Sequence, residues 1–327
     1  MNPDQAILNK HRLHLEKIEA ELALSVGSRV AKIEEISRHT LLGGGKRLRP
    51  LLFVLSCGLL GSRVQGCYRL AGIFEIIHAA SLLHDDVLDN AETRRSRPSA
   101  NRLWGNHAAV LVGDFLYSKA FAVAFDTGHR PFLQRLTETT TRMAEGQVLE
   151  LEHTFDWDIG KESYLEIVKA KTAVLISAAC ECGAILSGAG ETAESALAQF
   201  GFHMGVAFQL MDDLLDYTAE EKVFGKPVVK DLREGKITLP LIYALADLEE
   251  ADRAALRTRL TPEGAFPSEA DFLQVLEMVR TGGCLERVRE EASESVERAA
   301  GCLAIFPDSP AKRDLLQMNR YILDRSY

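Results

Sequence analysis

Apolar residues recur along this chain at the three- and four-residue spacings of amphipathic helices, and the alternation of half-buried strands is nearly absent. The spacing predicts helices over residues 6–24, 49–60, 68–90, 107–125, 132–153, 164–186 and 193–217. Further helices are expected over about 239–247, 269–280, 285–305 and 310–325. Several of the middle helices are apolar nearly all round, as helices buried among others are. Prolines stand at turns and helix starts (Pro98, Pro131, Pro240, Pro310), and neither a Pro- or Ser-rich linker nor a short-period repeat interrupts the pattern. The expectation is an all-α fold: one domain over residues 1–327, built as a bundle of long helices that makes its site between them.

Composition narrows the function classes. The chain has 327 residues, 46% hydrophobic and 26% charged, with a formal net charge of -9. An acidic chain lacks the basic footprint of a nucleic-acid binder, although a few placed cations suffice for an anionic small substrate. The six cysteines (Cys57, Cys67, Cys180, Cys182, Cys284, Cys302) show neither zinc-ligand spacing nor a disulfide framework, and read as reduced thiols of a cytoplasmic protein. The amphipathic first 24 residues lack the apolar run of a signal peptide. No apolar stretch reads as long enough to span a bilayer, although peripheral contact with a membrane surface is compatible with the composition.

The pattern Asp-Asp-x-x-Asp occurs twice, as Asp85-Asp86-Val87-Leu88-Asp89 and Asp212-Asp213-Leu214-Leu215-Asp216. On a helix, positions i and i+4 share a face, so Asp85 pairs with Asp89 and Asp212 with Asp216. Like charges at that spacing are mildly destabilising in water, and burial among Leu, Val, Phe and Met makes them costlier. A cation must compensate. Hard oxygen donors without a nearby cysteine suit Mg²⁺, which takes one or two carboxylates together with substrate phosphates and water. The alternative, a solvated acidic face, loses ground because the pattern recurs in two apolar helices.

Cations cluster close to these acids. Gly43-Gly44-Gly45-Lys46-Arg47-Leu48-Arg49-Pro50 is a glycine loop opening a helix, where backbone amides can approach an anion. Its spacing is not that of a P-loop. Thr93-Arg94-Arg95-Ser96-Arg97-Pro98 follows the first aspartate motif, and arginines bind phosphate oxygens in bidentate fashion. Lys226 and Lys236 follow the second motif, and Lys171-Thr172 lies in mid-chain. Each of these read alone could be a surface salt-bridging run. No Ser/His/Asp or Cys/His nucleophile arrangement is present, and His78 and His84 read by themselves as core histidines.

Taken together and in order, Gly-Gly-Lys-Arg-x-Arg-Pro, His-Asp-Asp-x-x-Asp, Thr-Arg-Arg, Gly-Asp-Phe-Leu, Lys-Thr, Phe-Gln-x-x-Asp-Asp-x-x-Asp and Gly-Lys-x-Thr-Leu-Pro resemble the trans-isoprenyl diphosphate synthase family from about residue 43 to 240. The resemblance implies an isoprenoid-synthase bundle, a homodimer, and a central cavity between the two aspartate motifs with about three Mg²⁺ ions per site. It implies that Asp85, Asp89 and Asp212 bind metal, with Asp86 and Asp213 completing the catalytic motifs and Asp216, Gln147 and Glu150 behind them. Arg94, Lys171, Thr172, Gln209, Lys226 and Lys236 would hold an allylic diphosphate. Lys46, Arg49, His78 and Arg95 would hold isopentenyl diphosphate. Two departures stand out, Ser96 and Val229, at positions where glycine is common in the family.

Chain length is expected to be set one turn before Asp85. Ala80 and Ser81 lie on that face, and both are small at positions where, as the resemblance implies, bulky aromatics close the cavity early. Phe74, further back, is a candidate for a deeper floor. This stretch resembles bacterial octaprenyl diphosphate synthases, which implies a product near C40 grown from farnesyl diphosphate, suited to a quinone side chain. The competing expectations are a short-chain farnesyl or geranylgeranyl synthase, a class I terpene cyclase, and a non-catalytic subunit of a heteromeric synthase. The small residues at 80 and 81, the cations at 46, 49 and 95, and the six intact aspartates argue against these in turn.

Overall fold

A computed structural model describes residues 9–95, 97–218, 229–261 and 267–324. The regular structure of the described residues is helical, apart from one hairpin that pairs Thr93–Arg94 with Arg97–Pro98 antiparallel. The all-α expectation holds. The chain divides into two compact units.

The first unit comprises Met1–Thr140, Leu175–Gly201 and Leu303–Met318. Its central helix is Cys67–Leu88, which Gly66 opens at a φ of 68° and which carries the first aspartate motif at its end. Its middle is fully buried; Phe74 packs its ring 5.5 Å from that of Phe53, on the helix Leu48–Leu59. Small residues allow the close approaches. A Cβ at Gly183 would lie 2.8 Å from the Cβ of Ser56, and one at Gly113 would lie 2.2 Å from Nε2 of His84. Gly113, from the Gly-Asp-Phe-Leu motif, thus makes room for the histidine beside Asp85. Two helices missed by periodicity also occur here, Ala31–Leu41 and the short Ala100–Trp104.

The second unit comprises Thr141–Val174, Phe202–Cys302 and Asn319–Tyr327. The stretch expected as one helix over 164–186 is divided. Lys161–Val168 is α-helical, Lys169–Ala173 is a π turn, and α-helix resumes at Val174. The second aspartate motif ends the helix Glu191–Thr218. Later helices follow the prediction within a few residues. Glu269–Thr281, for example, starts at a reciprocal cap in which Ser268 and Asp271 satisfy each other's backbone N–H. The charged helix Glu250–Leu260, with Leu256 and Leu260 as its buried residues, was not legible.

The six cysteines are all free thiols. Against expectation, Asn106–Phe125 and Lys161–Ser187 are long and apolar enough to cross a membrane by length and composition. Two-thirds of the second (67%) is buried within the protein, as for a core helix, whereas only 39% of the first is.

Candidate active site

In the first unit the two basic motifs meet. The glycine loop lies on the arginine hairpin: Arg95 donates a hydrogen bond to the Gly44 carbonyl, and a Cβ at Gly45 would lie 3.0 Å from the Arg95 guanidinium. Gly44 and Gly45 have φ values of 94° and 140°, which suit glycine, and Arg95 itself turns the hairpin at 51°. A Cβ at Gly43 would lie 3.1 Å from Arg97, which reaches His39 Nδ1 at 3.3 Å. The loop is therefore fitted against the hairpin.

Arg47, to which sequence reasoning gave no role, anchors this arrangement from beneath. It is 3% exposed, enters the helix Leu48–Leu59 at a φ of 49°, and pairs with Glu19 at 2.6 Å and with the buried Glu75 at 2.7 Å. Burial opposes its charge, but the two carboxylates outweigh that and raise its pKa. Lys46, beside it, is exposed, and Arg49 is half-buried one turn further on.

His78 is pushed well below the ordinary histidine range, by burial first and then by Arg49, Arg95, Arg94 and Arg47. A neutral imidazole under the field of four guanidinium groups marks a site of strong positive potential, which an anion would neutralise. Three of the four residues expected to hold isopentenyl diphosphate, Arg49, His78 and Arg95, are thus electrostatically coupled.

The aspartates of the first motif divide. Asp86 is buried and accepts Nε of Arg94 at 2.9 Å and its terminal nitrogen more closely still. Burial works against the Arg94 charge, but Asp86, Asp85 and Asp89 together raise its pKa. Asp85 and Asp89 are half-buried. Tyr117, also not foreseen, has its phenol pushed up to about 12 by burial and then by the charge of Asp85. Ala80 is fully buried, and Ser81 donates its hydroxyl to the His78 carbonyl at 2.9 Å, satisfying its polar atom within its own helix.

The second motif divides differently. Asp213 is 2% exposed, accepts the Tyr164 hydroxyl on one oxygen, and accepts Gln209 Nε2 at 2.7 Å on the other. Burial lifts it to about 7; Asp212 and Asp216 add to this, and the two hydrogen bonds oppose it. Thr172 donates to Gln209 Oε1 at 2.9 Å. Asp216, expected behind the metal ligands, accepts the backbone N–H groups of Lys230 and Asp231, both at 3.1 Å, and so caps the short turn Lys230–Arg233. That turn is entered at Val229, fully buried at a φ of 51°. A β-branched residue there is strained, and it occupies the position where the sequence departs from glycine.

The remaining expected ligands of this unit hold one another. Lys171 donates to Glu150, which also accepts Gln147 Nε2 at 3.2 Å. Lys236 pairs with Glu234 at 2.7 Å. Lys226 and Ser96 lie outside the described residues.

Among the described residues no three His, Cys, Asp or Glu side chains converge to hold a metal by themselves. The donors nevertheless suit Mg²⁺. Asp85, Asp89 and Asp212 present hard carboxylate oxygens, few per site, as an ion that keeps water and substrate phosphate in its coordination shell requires. The buried Asp86 and Asp213, already engaged by protein donors, fit that role less well.

Residues 30–279 match the polyprenyl synthetase family. The chain is 38% identical over 301 residues, 92% of it and 91% of the relative, to an all-trans-nonaprenyl-diphosphate synthase (geranyl-diphosphate specific) of Rhodobacter capsulatus. It is 37% identical over 309 residues, 94% of each protein, to octaprenyl diphosphate synthase of Escherichia coli. A crystal structure of a polyprenyl synthase from Caulobacter crescentus, complexed with calcium and isoprenyl diphosphate, superposes with a TM-score of 0.92 at 34% identity over 98% of each chain. The helical fold, the paired aspartate motifs and these likenesses lead to one assignment: this chain belongs to the polyprenyl synthetase family of prenyltransferases.

Proposed function

We propose that this enzyme adds isopentenyl diphosphate units to an allylic diphosphate, with farnesyl diphosphate as primer, and stops near C40. The reading rests on one observation above all: the cluster of Arg49, Arg95, Arg94 and Arg47 about a neutral His78, beside the first aspartate motif. Two diphosphates need such a field, and a nucleophilic side chain is not required.

The chemistry follows from the residues. The allylic C–O bond breaks, and both electrons leave with diphosphate. Arg94, held by Asp86, presents its guanidinium to that growing negative charge. Asp85 and Asp89 in the first motif and Asp212 in the second are the residues that would hold Mg²⁺, and the metal would supply Lewis-acid stabilisation of the leaving group. Arg49 and Arg95, with Lys46 and His78, orient isopentenyl diphosphate so that its alkene attacks the allylic cation. The new carbon–carbon bond leaves a tertiary cation, which loses a proton to the departed diphosphate. Both cations require that water be kept from them.

A long product is supported by Ala80 and Ser81, whose small side chains leave the Cys67–Leu88 helix without an aromatic stop one turn before Asp85. An exposed apolar stripe on Asn106–Phe125, with Leu111 66% and Phe125 72% exposed, supports a homodimer formed through that helix, and the free cysteines suit a cytoplasmic setting. Incubation with Mg²⁺, isopentenyl diphosphate and farnesyl diphosphate, followed by mass analysis, tests the reading. A polyprenyl diphosphate near C40 is expected, and absence of diphosphate release overturns the assignment.

A further inference from the structure

The π turn Lys169–Ala173 raises a problem of register. On a continuous α-helix Tyr164 and Thr172, eight residues apart, would differ in direction by about 80°, whereas Lys171 would come within about 20° of Tyr164. The wider turn lags the α-helix, which moves Thr172 toward the direction of Tyr164 and Lys171 away from it. The geometry of a π turn is less favourable than that of an α-helix, so tertiary contacts must hold it.

Two kinds of contact do so. Glycines fix its depth: a Cβ at Gly146 would lie 2.8 Å from the Ala170 Cβ and the Lys171 nitrogen, and one at Gly205 would lie 2.6 Å from the Ala173 Cα. A chain of hydrogen bonds fixes its rotation. The Tyr164 hydroxyl donates to Asp213, Gln209 Nε2 donates to the other Asp213 oxygen, and this turns Gln209 Oε1 toward the Thr172 hydroxyl. The chain starts at Tyr164, before the π turn, ends at Thr172 within it, and closes a loop through the second aspartate motif. Each donor and acceptor in it is fixed by the next, so loss of one end releases the other.

We propose that Tyr164 is a positioning residue: through Asp213 and Gln209 its hydroxyl sets the register of the π turn, and so the placement of Thr172 and Lys171 for an allylic diphosphate. The role rests on the prenyltransferase reading above. Tyr164 touches no substrate; it acts through the groups it orders.

The test uses the full-length protein with Tyr164→Phe. Binding of farnesyl S-thiolodiphosphate in Mg²⁺, measured by calorimetry without turnover, is expected to weaken about tenfold, the worth of one buried hydrogen bond. The KM for farnesyl diphosphate should rise with it, while the KM for isopentenyl diphosphate, whose expected ligands lie in the first unit, stays unchanged. Unaltered analogue binding, or equal loss at both substrates, overturns the proposal. Should Tyr164→Phe fail to fold, it is combined with Asp213→Asn, which leaves no buried carboxylate orphaned. Weaker analogue binding by this double variant than by Asp213→Asn alone supports the role of the hydroxyl; equal binding refutes it. A wild-type protein that binds the analogue but releases no diphosphate from substrate would refute the prenyltransferase reading instead.

Discussion

In the first aspartate motif the middle carboxylate, Asp86, is buried against an arginine; in the second, Asp213 is buried against a phenol and an amide. The third carboxylates differ as well. Asp89 stays half-buried at a helix end, and Asp216 is engaged by two backbone amides from a later turn. The same five-letter pattern is thus used in two ways. One organises a guanidinium. The other organises neutral donors, and burial brings its central acid to about 7. Repetition of a motif does not imply repetition of its electrostatics.

The largest expected effects would show where the motifs agree. Asp85→Ala and Asp212→Ala should each lower diphosphate release roughly 10³-fold with helical content retained, since each would remove a carboxylate proposed to hold the metal that stabilises the leaving group. Retention of more than a tenth of the activity in either would deny that motif a metal. The middle residues should then separate. Asp86→Asn leaves Arg94 without its counter-charge and should cost about 3 kcal/mol in urea unfolding, at the low end for a buried pair because Arg94 is 33% exposed. Asp213→Asn replaces an acid already near neutrality and should cost less than about 1 kcal/mol. Equal costs would erase the contrast drawn above.

Product length offers a sharper asymmetry, because only the first motif is preceded by the small pair Ala80 and Ser81 in the role proposed for them. Ala80→Phe should shift the product mass to a shorter polyprenyl chain, and an unchanged length would remove this helix from control of growth. The smallest effect concerns the turn capped by Asp216. A buried Val→Gly change ordinarily costs several kcal/mol in lost packing and chain entropy. At Val229, where φ is 51°, relief of strain should hold the cost below about 1 kcal/mol in the same unfolding assay.

Legibility followed the density of apolar residues. Helices with broad buried faces, such as Cys67–Leu88, were foreseen within a residue or two. Ala31–Leu41 and Glu250–Leu260 were not, because three and two buried residues respectively are too few to register as a stripe. The π turn escaped because a one-residue shift of phase is smaller than a periodicity window resolves. The candidate site was legible in residue type and order, while its internal pairings were not. Arg47 finds its carboxylates 28 residues away in both directions, Tyr164 finds Asp213 49 residues on, and Asp216 caps a turn 14 residues later. Such partners are chosen by the fold, and no local pattern announces them. Glycine 113 could have been suspected from the Gly-Asp-Phe-Leu motif, but its reason, the ring of His84, is likewise distant in sequence.

The contact between Arg95 and the Gly44 carbonyl bears on how quickly the site can turn over. Arg95 rests on a neutral oxygen, so an arriving diphosphate exchanges one dipole for a full charge and breaks no ion pair. Arg94 rests on a carboxylate and must be shared between Asp86 and its ligand. In the proposed reaction the Arg94 subsite gives up the cleaved diphosphate and the Arg95 subsite gives up the lengthened chain at every cycle, so the neutral anchor would ease the reloading of isopentenyl diphosphate while Asp86 would draw Arg94 back as diphosphate leaves.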